Sequence, residues 1–405
     1  MVGIQTEQGQ ISVWMRILDR FVVPVLFGFS FLICLVLYAV QPLEHGHSYH
    51  LGVKVTAILA GIYVFYRYAW RWIETKRWVL LLPLILGLGL AVHRLATINP
   101  DAEIIHTYQS LFEAIEQGQN PYTCACIFHR AEFNEVKFGN FNYPVMEIWP
   151  YWLAYKIFGV WNSAVLTGTL FFLQILVCLV LLRTFPCLRF VQIAAFFPIF
   201  LFYEIYTNVA TSFLVVSLIV YVIKAMSDHR QAWHPWVLAV LFALGLHTKF
   251  IIMPLLAAYY WNRTTLSDFR SLARSAMELM AVLVVAGLLA LPYGLKPVLD
   301  NTLLFNLILD DREMLTTFYP NVFSGLFSWI GYKTVYPEVA VAVLVAGIML
   351  TKKLSLFSAL LASCIVFMMV IPTPEPQYIP VILYVAVAGR MALLEKWKVK
   401  APVTG

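Results

Sequence analysis

Charged side chains are scarce in this sequence, and their scarcity excludes most soluble folds. Only 12% of the 405 residues are Asp, Glu, Lys or Arg, whereas 61% are hydrophobic. Soluble domains normally carry about 25% charged residues. Apolar stretches of about 20 residues recur along the chain, and each is long enough to cross a bilayer. The composition therefore predicts an all-α polytopic membrane protein without a soluble domain.

Motifs for nucleotide chemistry and for zinc proteolysis are also missing. The sequence contains no P-loop, no G-x-S-x-G elbow and no H-E-x-x-H helix. ATP-driven transport and zinc proteolysis are therefore poorly supported. The net charge of +6 comes from basic residues clustered in short connecting loops. This pattern indicates membrane topology, and no nucleic-acid partner is expected.

Cysteine is sparse, with six in the whole chain. Three of them fall in apolar runs and are expected to pack as small hydrophobic residues: Cys34, Cys178 and Cys364. Cys124 and Cys126 lie near His129, but three ligands at this spacing resemble no common zinc site, and no metal site is predicted there. A disulfide between the two cysteines is expected to be strained by their spacing.

The basic loops predict the topology. Residues 67–77 hold the densest basic cluster, which is expected in the cytoplasm because short cytoplasmic loops are rich in Lys and Arg. About twelve passes, with both termini cytoplasmic, place every basic loop inside. Residues 99–160 then form the first extracytoplasmic loop, with interfacial helices, and residues 294–334 form the second extracytoplasmic region. One transmembrane domain is expected over residues 1–405, in the inner or plasma membrane.

The longest polar stretch, residues 99–144, begins with a predicted helix. An Asn-Pro pair precedes Asp101, and Gly118 is a typical helix stop, so the helix is expected from Asp101 to about residue 117. Its apolar residues share one face, which suits a helix lying apolar side down in a membrane interface. His106 is expected to be solvated. The helix dipole favours an ionised Asp101, although a plain capping role is the alternative.

Residues 235–261 form an apolar segment that is interrupted by Lys249 and Pro254. Both flanks are expected in the cytoplasm, so the segment is predicted to form two short helices that meet near Lys249. Twelve residues of helix rise about 20 Å, which would place Lys249 in the outer part of the bilayer. A charge at that depth is a candidate functional residue. The alternative is that Lys249 snorkels to the interface or pairs with an internal acid.

Four islands of sequence, in order, resemble a known family. The run D-x-E-I-I-x-x-Y-x-x-L-x-x-A-I-x-x-G-x-N-P-Y starts at Asp101, and F-N-Y-P follows it before an aromatic segment, residues 145–160, that is expected to form a second interfacial helix. G-L-H-T-K-F surrounds Lys249, and P-Q-Y precedes the last helix. Together they resemble the polytopic glycosyltransferases of the GT-C superfamily, most closely the bacterial polyprenol-phosphate-sugar-dependent mannosyl- and arabinosyltransferases. Val145 replaces the second proline of the family's Y-P-P-like segment.

The resemblance implies a reaction and a set of site residues. A sugar would pass, with inversion, from a polyprenyl-phosphate donor to a hydroxyl of a lipid-linked or glycan acceptor on the extracytoplasmic face. Asp101 would be the general base, and Glu103 would assist it or share a divalent cation with it; no cofactor is required. Basic residues proposed to bind the donor phosphate are Lys249, Arg312 and Arg130. Residues proposed to line the sugar or acceptor pocket are Tyr122, Tyr143, Gln377 and Tyr378.

Other interpretations stay open at this point. A translocase for lipid-linked sugars or polysaccharides, or a binding protein without group transfer, would also be a polytopic chain among membrane lipids. The expected mid-span regions are nearly free of acids, and the polar residues gather at one surface, which favours an enzyme at the interface. Tyr122 and Tyr143 can also be explained by ordinary packing, and Gln377 by a plain turn.

Overall fold

A computed structural model of the chain describes residues 103–130, 136–184, 209–227, 235–304 and 336–370, and four helical positions further on: residues 381, 382, 385 and 388. Helix accounts for 79% of the residues that can be interpreted. The expected helical class is therefore confirmed at the level of a mostly helical chain. The spans expected before residue 99, at residues 190–206 and over most of residues 378–393 lie outside the described residues.

Helix α1, Glu103–Glu116, forms where the sequence predicts it. Gly118, with φ of +70°, adopts the left-handed conformation that terminates a helix. The predicted apolar face is buried inside the protein: Ile105, Tyr108, Leu111 and Phe112. It packs against aromatic rings of later segments, with the Tyr108 and Tyr151 ring centres 4.8 Å apart. The expectation that this face lies against lipid is therefore wrong, because other parts of the chain cover it.

An antiparallel hairpin follows α1 and departs from the all-α prediction. Strand β1, Ile127–Arg130, pairs with β2, Val136–Gly139. The hairpin is fixed to α1 through Phe128, whose carbonyl accepts a 2.8 Å hydrogen bond from Thr107 and whose N–H donates to Ser110 Oγ at 2.9 Å. Strands of four residues are too short for a clear alternation of apolar and polar side chains to appear in the sequence.

The prediction that His106 is solvated is wrong. His106 is partly buried, with its ring centre 5.3 Å from that of Phe128, because the hairpin covers this side of α1. Cys124 and Cys126 form a disulfide, with their Cα atoms 5.1 Å apart. That separation lies in the ordinary range for a disulfide, and the expected strain stays a prediction. Ala125 between them has φ of +51°, and this left-handed turn accounts for the short loop.

A 3₁₀ turn, Val145–Glu147, leads into helix α2, Trp149–Phe158. Pro150 lies in the first turn of α2, where the missing N–H costs no helical hydrogen bond, and Gly159 ends the helix with φ of +70°. The helix predicted within residues 145–160 is therefore confirmed. Its outer side exposes Leu153, Ile157 and Phe158, as an interfacial helix would, but its position at a membrane interface stays a prediction.

Apolar helices make up most of the remaining described chain: α3 Ser163–Thr184, α4 Val209–Ser227, α5 Pro235–Leu246, α6 Ile252–Arg263, and α7 Phe269–Ala290. A 3₁₀ turn, Leu291–Tyr293, extends α7. In the described part of the chain, Phe269–Tyr293 is the one helix long and apolar enough to cross a membrane. A polytopic chain of about twelve spans stays a prediction.

The two short helices predicted around Lys249 are confirmed. Helices α5 and α6 have 12 residues each and are joined by residues 247–251. Gly245, near the end of α5, permits a close approach to α6, because a Cβ there would lie 2.8 Å from Ile252 Cγ2. Pro254 is tolerated as the third residue of α6, where the backbone N–H has no partner within the helix.

The described chain continues with short helix α8, Leu295–Leu299, and a π-helical turn, Asp300–Leu304. Helices α9, Tyr336–Leu350, and α10, Leu356–Val370, then match two predicted spans in position. Among the residues that the structure describes, buried side chains form two clusters. One lies among α4, α5, α6 and α10, and the other among α1, the hairpin segment, α2 and the first half of α3. Leu214 of α4 packs against both clusters.

Candidate functional site

The candidate site lies where the loop segment after the hairpin meets the connection between α5 and α6. The N–H of Met146 donates a 2.8 Å hydrogen bond to the carbonyl of His247. This main-chain bond joins the 3₁₀ turn before α2 to the residues that precede Lys249. The contact brings together two of the islands on which the family resemblance depends, F-N-Y-P and G-L-H-T-K-F.

Lys249 is the buried cation of this junction. Lys249 is only 6% exposed, and its Nζ lies 4.8 Å from the centre of the Tyr143 ring. An ammonium at that distance is attracted by the ring's negative face. Two residues that were predicted separately, one for the donor phosphate and one for the sugar or acceptor pocket, are therefore neighbours.

Tyr122 holds the main chain of Tyr143 in place. Its side chain is fully buried, and its hydroxyl donates a 2.8 Å hydrogen bond to the Tyr143 carbonyl. The ring also contacts Phe141 edge-on, with the centres 5.7 Å apart. Ordinary packing, the alternative considered for Tyr122, accounts for these contacts. A contact between Tyr122 and sugar stays a prediction.

Hydrogen bonds of two asparagine side chains, Asn120 and Asn301, fix the N-P-Y turn that contains Tyr122. Asn120 Nδ2 donates to the Tyr293 carbonyl at 2.7 Å, while Asn120 Oδ1 accepts the Tyr122 N–H at 3.0 Å. Asn301 Nδ2 donates to the Tyr122 carbonyl at 2.9 Å. The turn therefore links the loop to the end of α7 and to the π-helical turn. Its residue types are explained by turn geometry and by these hydrogen bonds.

Glu147 is a site residue that the sequence analysis missed. It is fully buried, and its Oε2 accepts a 3.3 Å hydrogen bond from Thr211 of α4. Its Oε1 has no hydrogen-bond partner among the described residues. Burial raises the pKa of Glu147 to about 8, against the opposing attraction of the Lys249 ammonium and the hydrogen bond from Thr211. The only sequence signal was a lone acid inside an aromatic segment.

Helix α1 also reaches Glu147. The Tyr108 hydroxyl donates to the Glu147 main-chain carbonyl at 3.3 Å, and burial raises the pKa of this tyrosine well above its ordinary value. Tyr108 therefore stays a neutral donor near neutral pH. The same helix begins at Glu103, and Asp101 is two residues earlier in the sequence. Helix α1 therefore starts at one of the predicted catalytic acids and contacts Glu147 through the Tyr108 hydrogen bond.

The other predicted residues are not brought into this junction by the described structure. Arg130 pairs with Val136 next to the loop of the hairpin, and its strand runs away from the end that leads to Tyr143. Three strand residues span about 10 Å, so the backbone of Arg130 lies at the far end of the hairpin. Predicted site residues outside the described part of the chain are Asp101, Arg312, Gln377 and Tyr378.

A divalent cation was expected only in connection with Asp101 and Glu103. Among the described residues, no group of three His, Cys, Asp or Glu side chains could hold a metal ion. Because Asp101 is not among them, this finding leaves the predicted cation untested. The thiolates that a soft metal would need at Cys124 and Cys126 are joined in the disulfide.

The arrangement as a whole suits the binding of an anion. It offers a buried ammonium, an aromatic ring beside it and a carboxyl group that can hold a proton near neutral pH.

Comparison of the chain with protein-family models, with curated proteins and with solved structures gives no significant match.

Proposed function

We propose that the chain is a membrane glycosyltransferase that moves a sugar from a polyprenyl-phosphate donor to a hydroxyl of a lipid-linked or glycan acceptor on the extracytoplasmic face. The observation that carries the proposal is the buried Lys249 ammonium beside Tyr143, at the point where the loop after the hairpin meets two short apolar helices. The site would accept the phosphate of the donor while the polyprenyl chain lies along the apolar helices.

A buried ammonium is costly, and a structural explanation for it is weak. Removing a charged amine from water costs several kcal/mol unless nearby groups compensate it. Tyr143 offers a partial compensation, and Glu147 forms no direct hydrogen bond to the ammonium in the described structure. A phosphate oxygen is a strong acceptor for such a cation. The residue is thus better explained by a bound anion than by packing.

In the proposed reaction one bond to the anomeric carbon forms, one breaks, and one proton is transferred. The acceptor hydroxyl gives its proton to the Asp101 carboxylate, and its oxygen forms a bond to the anomeric carbon from the face opposite the phosphate. The bond between that carbon and the phosphate oxygen breaks, and polyprenyl phosphate leaves with its electron pair. Lys249 stabilises the charge that develops on the leaving phosphate. Asp101 precedes α1 in the sequence, and the N-terminus of a helix favours a negative charge close to it.

The test uses the full chain in lipid nanodiscs with a panel of polyprenyl-phosphate sugars, and it measures the release of polyprenyl phosphate. The Asp101→Asn variant should lose about 100-fold or more in kcat, the usual contribution of a general base, and should keep donor binding. Glu103→Gln is the matched control and should lose less. Lys249→Met should mainly raise the donor KM.

The outcomes separate the enzyme from its alternative. If Asp101→Asn transfers sugar at the wild-type rate, the assignment of the base is wrong. If the wild type binds the polyprenyl-phosphate sugars but releases no polyprenyl phosphate with any acceptor, a translocase or binding protein is the better description.

A further inference from the structure

We infer that Glu147 controls the binding of the donor phosphate: protonated, it leaves the Lys249 ammonium free for the phosphate, and ionised, it competes with the phosphate for that ammonium. The inference rests on the proposed role of Lys249 as the phosphate-binding cation. It gives Glu147 a positioning role, since this residue acts through Lys249 and has no part in the transfer step itself.

The geometry separates the carboxyl from the ammonium while keeping them within electrostatic reach. Lys249 Nζ lies over the Tyr143 ring, and the Glu147 carboxyl is turned to Thr211 of α4. The charge of Lys249 nevertheless acts on Glu147 and opposes the effect of burial. The two groups are thus coupled without being locked into an ion pair, so a third group of negative charge can change the balance between them.

Within the described chain, one oxygen of the Glu147 carboxyl lacks a hydrogen-bond donor, which is the second observation in support of the inference. Glu147 is fully buried, yet its Oε1 has no hydrogen-bond partner among the described residues. A buried carboxylate oxygen without a donor costs more than the same oxygen of a neutral acid, because the charged form needs solvation. The surroundings therefore tolerate the protonated carboxyl better than the ionised one.

The tyrosines near Glu147 do not change their charge in the pH range in which Glu147 is expected to titrate. Among the described residues, the titratable groups that interact electrostatically with it include Tyr108 on α1, Tyr122 in the loop, and Lys249. Burial raises the pKa of Tyr108 and of Tyr122 well above the ordinary value, so both stay neutral up to pH 9. His247, in the same connection as Lys249, places its Nε2 against the Ala286 carbonyl of α7 at 2.8 Å.

The expected effect is a loss of donor affinity in alkaline solution. Burial raises the pKa of Glu147 to about 8, and a bound phosphate would raise it further, because a second negative charge disfavours ionisation. Below pH 8 the carboxyl already holds its proton, and binding is independent of pH. Above pH 8 binding must take up one proton from water, so affinity falls by up to about tenfold per pH unit.

The experiment measures binding of polyprenyl phosphate to the full chain in nanodiscs between pH 7 and pH 9. The second pKa of a phosphate monoester is about 6, so the charge of the probe changes little over this range. The wild type should lose about tenfold in affinity. Glu147→Gln, a neutral side chain of the same shape, should bind with the wild-type affinity of pH 7 throughout.

A second variant keeps the inference testable if Glu147→Gln does not fold. The hydrogen bond from Thr211 lowers the pKa of Glu147, so Thr211→Val should move the loss of affinity to higher pH. A purely structural role of Glu147 would leave the pH profile in place in both variants, and that result would overturn the inference while the proposed function survives. Absence of polyprenyl-phosphate binding by the wild type would overturn both.

Discussion

The buried carboxyl of Glu147 should make the stability of the protein depend on pH. Burial raises its pKa from about 4.3 in the unfolded chain to about 8 in the folded protein. Between these values the folded state binds more protons than the unfolded state, so the free energy of unfolding falls as pH rises, by up to about 1.4 kcal/mol per unit. Above pH 8 this effect reaches its limit.

Glu147→Gln removes the ionisation and should therefore be more stable than the wild type at pH 8, with a gain that shrinks towards pH 5. Thermal unfolding of the detergent-solubilised protein between pH 5 and pH 9 measures it. Glu113→Gln changes an exposed acid and serves as the control, which should show no such trend. Equal pH dependence of wild type and Glu147→Gln would mean that the carboxyl is not buried in the folded protein.

Glu147 could not be identified as a site residue from the sequence. A single acid between Met146 and Ile148 is ordinarily expected to face water. Its burial depends on Thr211, which is 64 residues away in the chain, and on Lys249, which is still further away. Local patterns predict which residues share a helix face, but they do not predict which distant segment covers it.

The approach of α5 to α6 should depend on the absence of a side chain at Gly245. A Cβ there would lie 2.8 Å from Ile252 Cγ2, and Ile252 is the first residue of α6, just after the connection that holds Lys249. Gly245→Ala should destabilise the protein by about 1–3 kcal/mol, as overpacking of a core does, and should raise the donor KM.

Gly168→Ala is the matched control for this variant. Gly168 lies in α3, where an added Cβ would meet no atom within 4 Å, so alanine should be neutral or stabilising by up to about 1 kcal/mol. Thermal unfolding and donor KM of the two variants provide the comparison. If Gly245→Ala behaves like Gly168→Ala, the two short helices do not approach as closely as described.

The helices were more predictable than the contacts between them. Helix α1 and the pair α5 and α6 follow from caps, apolar periodicity and the interruption at Lys249, which are local signals. The hairpin was missed because each strand has only four residues. The left-handed backbone at Ala125, between the two bonded cysteines, could not be predicted from the sequence. Burial of the apolar face of α1 depends on aromatic residues of later segments.

The predicted topology places the hairpin and the turn between α9 and α10 on opposite sides of the membrane. Lys137 on β2 and Lys353 in the turn are both exposed, so a cysteine at either position should be accessible to reagents on its own side. The Lys137→Cys variant should react with a membrane-impermeant maleimide in intact cells, because its position is expected outside. The Lys353→Cys variant should react only after the membrane is opened.

Labelling of the unsubstituted protein under both conditions provides the background from its own cysteines. Reaction of both variants in intact cells would contradict the topology inferred from the basic loops. It would also remove the extracytoplasmic location of the loop that carries Tyr143, and the proposed function with it.

Some residues of the candidate site were predicted from the sequence, but the contacts between them were not. Lys249 and Tyr143 were proposed from separate islands of sequence, and the structure makes them neighbours. The proposal could not extend to their geometry, since sequence order alone does not say that Met146 binds His247. The roles of Asp101 and Arg312 stay predictions, because both lie outside the described residues.

The hydrogen bond between Met146 and His247 uses main-chain atoms only. No change of side chain at either position deletes it, unless proline takes the place of Met146 and removes the N–H. Met146 can therefore be replaced by many amino acids while this bond persists, whereas the His247 side chain also contacts the Ala286 carbonyl through Nε2 at 2.8 Å. A library randomised at Met146 would vary the surroundings of Lys249 while the two segments stay attached, which makes this position a practical starting point for changing the preference for the proposed donor.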